Sequence, residues 1–366
     1  MIDNDKISNT QLSMFLILTM IGIGIFSLPR LVADTTQNDG WVTTILGGLL
    51  GLIDFYIICR LIKKYPQDTL VEIIFKLMGK FFGIPVLLIF AVYFIDSIAG
   101  MLRIFGEVVK MTLLIRTPIE VILISMILLA LMLARCGIEA IVRFDEVVFL
   151  ILFSMIFLGV LIAIPQADFS NLRPFFRTDI KNFALGTYGT VYSYSGFELV
   201  LFLGPFINKP QKAFRSGIAA FAVVILTYLS AVVLSFGYFG RAEVTQLIWP
   251  TLSLIRSIEV QGSFVERLEG IVMTQWILFA FTSIIAYIYA LSILTSKIFK
   301  NKEFKHFASF FIPVVYIIAM IPDNVPAVYK FLNMTIIYVG TPALFVFPVI
   351  LLVLSHVRKK GVQNNG

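Results

Sequence analysis

The stretch Thr19-Met20-Ile21-Gly22-Ile23-Gly24-Ile25-Phe26 lies inside the first long apolar segment and carries two glycines one residue apart. Each glycine in a helix interior costs roughly 1 kcal/mol relative to alanine. Close helix packing is one reason to keep small residues in a membrane helix. A broken helix is the other, and backbone freed by a break is tolerated in a membrane only where it lines a cavity or is buried in protein. A second interruption decides between them. The first segment opens near Gln11 and a later one near Phe183, and the same offset carries Gly24 to Gly196, within Tyr192-Ser193-Tyr194-Ser195-Gly196-Phe197-Glu198. Matching interruptions in two halves of a chain mark a transporter-type binding site.

The composition fits. The 366 residues are 59% hydrophobic and 14% charged, with a mean hydropathy of +0.94, which places the chain among polytopic helical membrane proteins. The net charge of +7 is not a nucleic-acid signature, because the basic residues sit in short loops between apolar segments. Cys59 and Cys136 call for no disulfide, and the isolated His306 and His356 offer no zinc site. No nucleophile elbow, metalloprotease helix, P-loop or Cys/His cluster is present, so an enzyme is the weakest reading.

Taken in order, the chain predicts ten spans, near 11–33, 41–61, 81–110, 118–135, 145–164, 183–206, 217–239, 269–296, 306–322 and 331–355. Ser8 to Gln11 has the form of a capping box opening the first span, and Thr117-Pro118-Ile119-Glu120 has one opening the fourth. Residues 68–80 read as a short amphipathic helix on the cytoplasmic face, and 244–258 as an outer helix. With both termini cytoplasmic, eighteen Lys and Arg fall inside and nine outside, a clear positive-inside bias. Five spans per half is odd, so residues 11–164 and 183–355 enter the membrane in opposite senses, as an inverted repeat within one transmembrane domain spanning 1–366.

A broken span presents two helix ends in mid-membrane. Free N–H groups hold a carboxylate and free carbonyls hold an ammonium or a cation, so an amino acid suits the site without charged side chains. The candidate ligand-binding residues are Gly22, Ile23 and Gly24, facing Tyr192, Ser193, Ser195 and Gly196. Ionisable residues inside spans cost about 2.5–3.5 kcal/mol each and mark function or an ion network. Asp96, followed by Arg103, Glu107 and Lys110 on one helix face, fits either. Glu198, just past the second break, is the foremost charged candidate for coupling or gating. Thr282 and Ser283 complete the set. Two hydroxyls facing span one would suit a sodium ion, the one cofactor the sequence suggests, against the ordinary alternative of bonding back to their own helix.

These residues resemble the amino acid–polyamine–organocation superfamily, whose first broken span is similar to Gly22-Ile23-Gly24-Ile25-Phe26. Within it the closest likeness is to the endospore germination permeases, the GerAB-type B subunits of nutrient germinant receptors. Lys6-Ile7-Ser8 with Gln11-Leu12, Asp39-Gly40-Trp41 with Leu46-Gly47-Gly48, and Trp249-Pro250-Thr251-Leu252 with Phe264 to Glu269 carry that likeness. The resemblance implies a leucine-transporter-like all-α fold with broken helices one and six. It also implies a small amino acid as ligand, A-type and C-type subunits as partners, and residence in the inner membrane of the spore. Proton-coupled relatives use a lysine in span five. Residues 145–164 contain none, which favours sensing over proton-driven uptake. The alternative function is an ion-coupled amino acid permease.

Overall fold

The computed structural model describes residues 6–22, 24–257, 268–300 and 304–358. Its helices in chain order are α1 (Asn9–Ile21), α2 (Gly24–Thr36), α3 (Gly40–Lys64), α4 (Leu70–Thr112), α5 (Ile119–Ala134), α6 (Ile138–Ala163), α7 (Ile180–Val191), α8 (Val200–Leu203), α9 (Ala213–Val244), α10 (Pro250–Ser257), α11 (Leu268–Ile298), α12 (Phe304–Phe310), α13 (Ile312–Met320), α14 (Val325–Thr335) and α15 (Phe347–Val357). Among the described residues there is no strand beyond one isolated bridge, Ile7 with Ile207. Six helical stretches are long and apolar enough to cross a membrane: Gly24–Lys64, Leu70–Thr112, Ile138–Gln166, Pro210–Val244, Trp276–Ile298 and Val325–Val357. Four shorter apolar stretches accompany them, and two of these, Asn9–Ile21 and Phe197–Phe206, are the pieces beside the two interruptions. This is a multi-pass, all-helical membrane protein.

Local sequence explains the element boundaries. Ser8 accepts from the Gln11 amide while the Gln11 side chain accepts from the Ser8 amide, the capping box expected at the start of α1. The box expected at Thr117 does not form. Pro118 itself occupies the cap position, and no side chain caps α5. The amphipathic segment and the third span are one helix, α4, kinked at Gly79, whose φ of +76° is outside the helical region. The outer helix is shorter than expected, Pro250–Ser257, and part of its expected range lies outside the described residues. Cys59 and Cys136 are both free.

Lipid gives helices no hydrophobic drive to associate, so close packing and interhelical hydrogen bonds hold them. Gly217 shows the packing: a Cβ there would lie 1.9 Å from Phe55 Cε1, so α9 approaches α3 more closely than any side chain permits. Most buried apolar residues, from Ile7 to Leu351, form one contiguous cluster, and Ala163, Leu234 and Leu254 form a second, small one. Leu150 and Phe157 of α6 and Leu226 of α9 are exposed, as lipid-facing residues would be.

Hydrogen bonds sort the connections to two ends of the bundle. At one end lie both terminal segments. Ile7 N–H donates to Phe206 O at 2.8 Å, Asn208 N–H donates to Ile7 O at 3.0 Å, and Lys64 Nζ donates to the Ser355 carbonyl. Lys297 Nζ also donates to Glu72 at 2.7 Å there. Burial would raise the Glu72 carboxyl, but the Lys297 bond and two donors from Thr69 bring it below the ordinary range. At the far end, Asp39 is buried in the turn between α2 and α3. Its carboxylate accepts from the Phe176, Arg177 and Thr178 amides and from the Thr178 hydroxyl, tying that turn to the segment before α7.

Asp39 yields a pH prediction. Burial alone would raise its pKa, but the four donors bring it below the ordinary 3.8. A depressed folded value means that the stabilisation is fully present above the ordinary value and is lost as pH falls through the folded one. The wild type is therefore expected to lose melting temperature below about pH 4. Asp39→Asn should be less stable than the wild type at pH 7 and should lose less on acidification. Parallel melts at pH 7 and pH 3 check this. Equal acid sensitivity in both proteins would remove Asp39 as the cause.

Candidate functional site

Glycine backbone geometry makes both interruptions. Gly22 closes α1 at φ +33°, ψ −131°, and helix resumes at Gly24. Ile23, expected between them, lies outside the described residues. In the second, α7 ends at Val191, Tyr192–Tyr194 form a single 3-10 turn, Ser195 leaves the helical region at φ −57°, ψ 153° and Gly196 takes φ +119°. The two breaks touch. A Cβ on Gly196 would sit 2.9 Å from both the carbonyl carbon and the oxygen of Thr19.

A cavity of about 830 Å³ opens from these breaks. Thr19, Met20, Gly22 and Gly24 line it from the first break, and Tyr192, Ser193 and Ser195 from the second. Tyr93 of α4 and Tyr287 of α11 add hydroxyls to the wall. Arg30, Asp34 and Lys330 also line it, toward the end opposite the terminal segments, and Asp34 and Lys330 are exposed. Among the described residues those three are the only Asp, Glu, Lys or Arg that line it, so the deep part as described offers backbone groups, hydroxyls and apolar surface. The volume is in the range of small-molecule sites, about 300–1,000 Å³.

Glu198 stands behind that wall, completely buried. Its Oε1 accepts from the Tyr287 hydroxyl at 2.7 Å and the Tyr93 hydroxyl at 3.1 Å, and its Oε2 accepts from the Gly196 amide at 2.7 Å. The carboxylate thus anchors the break to α4 and α11. Tyr192 is held from the side: its hydroxyl donates to Tyr188 at 2.8 Å and lies 2.6 Å from Thr341 Oγ1, in the π-helical turns between α14 and α15.

The remaining candidates separate. Asp96 accepts from Thr335 Oγ1 at 3.2 Å and is not a cavity-lining residue, although the adjacent Ser97 is. Arg103 pairs with Glu107 at 2.9 Å and donates to the Ala319 carbonyl at 3.3 Å, which joins α4 to α13. Thr282 donates to Phe279 O at 2.9 Å within its own helix. Ser283 faces α1. Its hydroxyl lies 3.4 Å from Leu18 O, 3.5 Å from Thr19 O and 3.2 Å from Phe279 O. That all-oxygen, neutral group has the donor chemistry a hard cation takes; Thr282 would have to turn from its helix to join it.

A family model described as spore germination protein, a spore permease, matches residues 6–328. The chain belongs to the spore germination permease family. Spore germination protein YndE of Bacillus subtilis (strain 168) is 31% identical over 357 residues, covering 97% of this chain and 98% of that protein. Spore germination protein B2 of the same organism is 28% identical over 366 residues, covering 97% and 96%. Among solved structures, a substrate-bound, outward-open Na+-coupled sialic acid symporter superposes with a TM-score of 0.68 at 14% identity, over 94% of this chain and 79% of that one. At that identity the likeness speaks for the fold alone, and it puts this permease in the leucine-transporter-like class.

Two residues central to the geometry escaped sequence reasoning. Tyr93 sits in Phe90-Ala91-Val92-Tyr93-Phe94, which reads as plain apolar span. Tyr228 of α9 is fully buried, and its hydroxyl lies 2.7 Å from Met20 O, 3.1 Å from Ile21 O and 2.8 Å from Ser193 O. The available signal was a phenolic hydroxyl in mid-span, which needs a partner when buried. Asp54 is buried in α3, and its Oδ2 has no hydrogen-bond partner among the described residues.

Proposed function

We propose that this spore germination permease is the B subunit of a nutrient germinant receptor in the inner membrane of the spore, with both termini cytoplasmic. It binds a small neutral amino acid at the two breaks, between Gly22–Gly24 and Tyr192–Gly196, and passes occupancy to A-type and C-type partner subunits. One observation carries this reading: two broken-helix ends meet in one cavity whose deep wall, among the described residues, has no charged side chain. Helix ends supply partial charges of both signs, so a zwitterion is matched and a net-charged ligand is not. Occupancy signals if the ligand favours one conformation over another.

A working permease is the second reading, favoured by the symporter fold. Its site would be the same, exposed alternately to each side, with Ser283 or Glu198 as the coupling residue. Proteoliposomes holding this chain alone, given radiolabelled amino acids on the outside under sodium or proton gradients, separate the two. Saturable binding without accumulation is the expected result. Concentrative uptake would replace the receptor reading with the permease, and sodium dependence would assign the Ser283 group to that ion.

A further inference from the structure

Three backbone carbonyls converge on the hydroxyl of Tyr228. Met20 O and Ile21 O come from the end of α1, where the break leaves carbonyls without helical partners. Ser193 O comes from the turn that ends the α7 half. All three lie within 3.1 Å of one oxygen atom. A phenol has one proton to give, so it serves one carbonyl fully and the others in part. An ammonium has three. The place the Tyr228 oxygen now holds is one from which a nitrogen could donate to all three oxygens at ordinary distances of about 2.7–3.2 Å. The two cannot share that point.

The carbonyls that meet there belong partly to residues of the cavity wall. Met20, Gly24 and Ser193 all line the cavity, whereas Tyr228 does not. A Cβ on Gly24 would stand 3.2 Å from the Tyr228 hydroxyl. At Gly24, therefore, the cavity wall that faces the hydroxyl carries no side chain.

We infer that the Tyr228 hydroxyl is an internal stand-in for a primary ammonium group, and that a ligand's ammonium displaces it from the three carbonyls. The inference rests on the amino acid reading above and adds the residue that couples it to movement. Displacement gives α9 a ligand-dependent change at one side chain, in contact with both breaks. It also makes Tyr228 a selectivity residue. Ligands without an ammonium gain nothing from the exchange.

The test compares the wild type with Tyr228→Phe, purified in lipid nanodiscs. Alanine, valine, leucine and asparagine are each titrated beside the matching des-amino carboxylic acid. Phenylalanine keeps the ring and removes the competing donor, so the amino acids that bind are expected to bind about two- to tenfold tighter, the scale of the one neutral hydrogen bond that the tyrosine must otherwise give up. Des-amino acid affinities should not move. A merely structural role would weaken both classes together, and that result, or no change in either, overturns the inference. A wild type that binds none of the four amino acids removes the functional reading and the inference with it, and is distinguishable because it precedes any variant. A fluorine label on the Tyr228 ring in the otherwise native chain gives a second readout that does not depend on how Tyr228→Phe folds. Its 19F resonance is expected to shift with a bound amino acid and to stay in place with the des-amino acid, and an unmoved resonance under saturating amino acid overturns displacement.

Discussion

Glu198→Ala is expected to be less stable than Glu198→Gln by about 2–4 kcal/mol, and to lose ligand response altogether. The comparison between the two variants matters more than either against the wild type. A carboxylate with no cation beside it carries a desolvation cost of its own, and both substitutions remove that cost equally. What differs is the fate of three buried donors. Glutamine can give its carbonyl to the Gly196 amide and donate from its NH2 group to Tyr93 and Tyr287, whose hydroxyls rotate to accept. Alanine strands the Gly196 amide, which has no freedom to rotate. The tyrosines lose less, because their hydroxyls already lie 3.4 Å apart and can bond to each other. One orphaned amide, part of one hydroxyl and a new cavity set the size of the effect. Melting curves of the two detergent-solubilised variants, with an amino acid titration of each, read it. Equal melting would mean that the carboxylate is not what holds the second break.

How much of this was legible beforehand follows from where each signal resides in the chain. Gly22, Gly24 and Gly196 were readable because a glycine inside an apolar run has few cheap explanations, and the repetition in the second half removed the cheapest. Glu198 was readable for a related reason: an acid in mid-span is expensive unless something holds it. The groups that hold it were not readable, since Tyr93 and Tyr287 come from helices distant in sequence and a tyrosine among phenylalanines looks like lipid-facing filler. Thr282 and Ser283 illustrate a further limit. Neighbours on a helix point about 100° apart, so a pair read as one site is divided by geometry. Only Ser283 faces α1. Span counting meets the same difficulty: an interrupted helix such as α1 is too short to register as a span by length, although its interruption is the most informative feature of the sequence.

Gly196→Ala should weaken amino acid binding severely, and Gly79→Ala is the control that shows why. Both glycines hold positive φ, +119° and +76°, so both substitutions carry a backbone penalty of about 1–3 kcal/mol. Their surroundings differ. A Cβ at Gly79 would meet nothing within 4 Å, whereas one at Gly196 would meet the Thr19 carbonyl at 2.9 Å and Thr19 Cβ at 3.1 Å. Backbone cannot swing aside as a flexible side chain can, so the methyl must push the end of α1 away from the second break. That displacement moves Met20 and Ile21 relative to Ser193, the carbonyls that meet at Tyr228. Gly79→Ala is therefore expected to lose some melting temperature and keep wild-type affinity. Gly196→Ala is expected to lose more melting temperature and lower affinity at least about a hundredfold, since misplacing two or more charge-assisted hydrogen bonds costs that much. If Gly196→Ala bound amino acids as the control does, contact between the breaks would be packing only, and the ligand would have to be sought nearer the rim, at Arg30, Asp34 and Lys330.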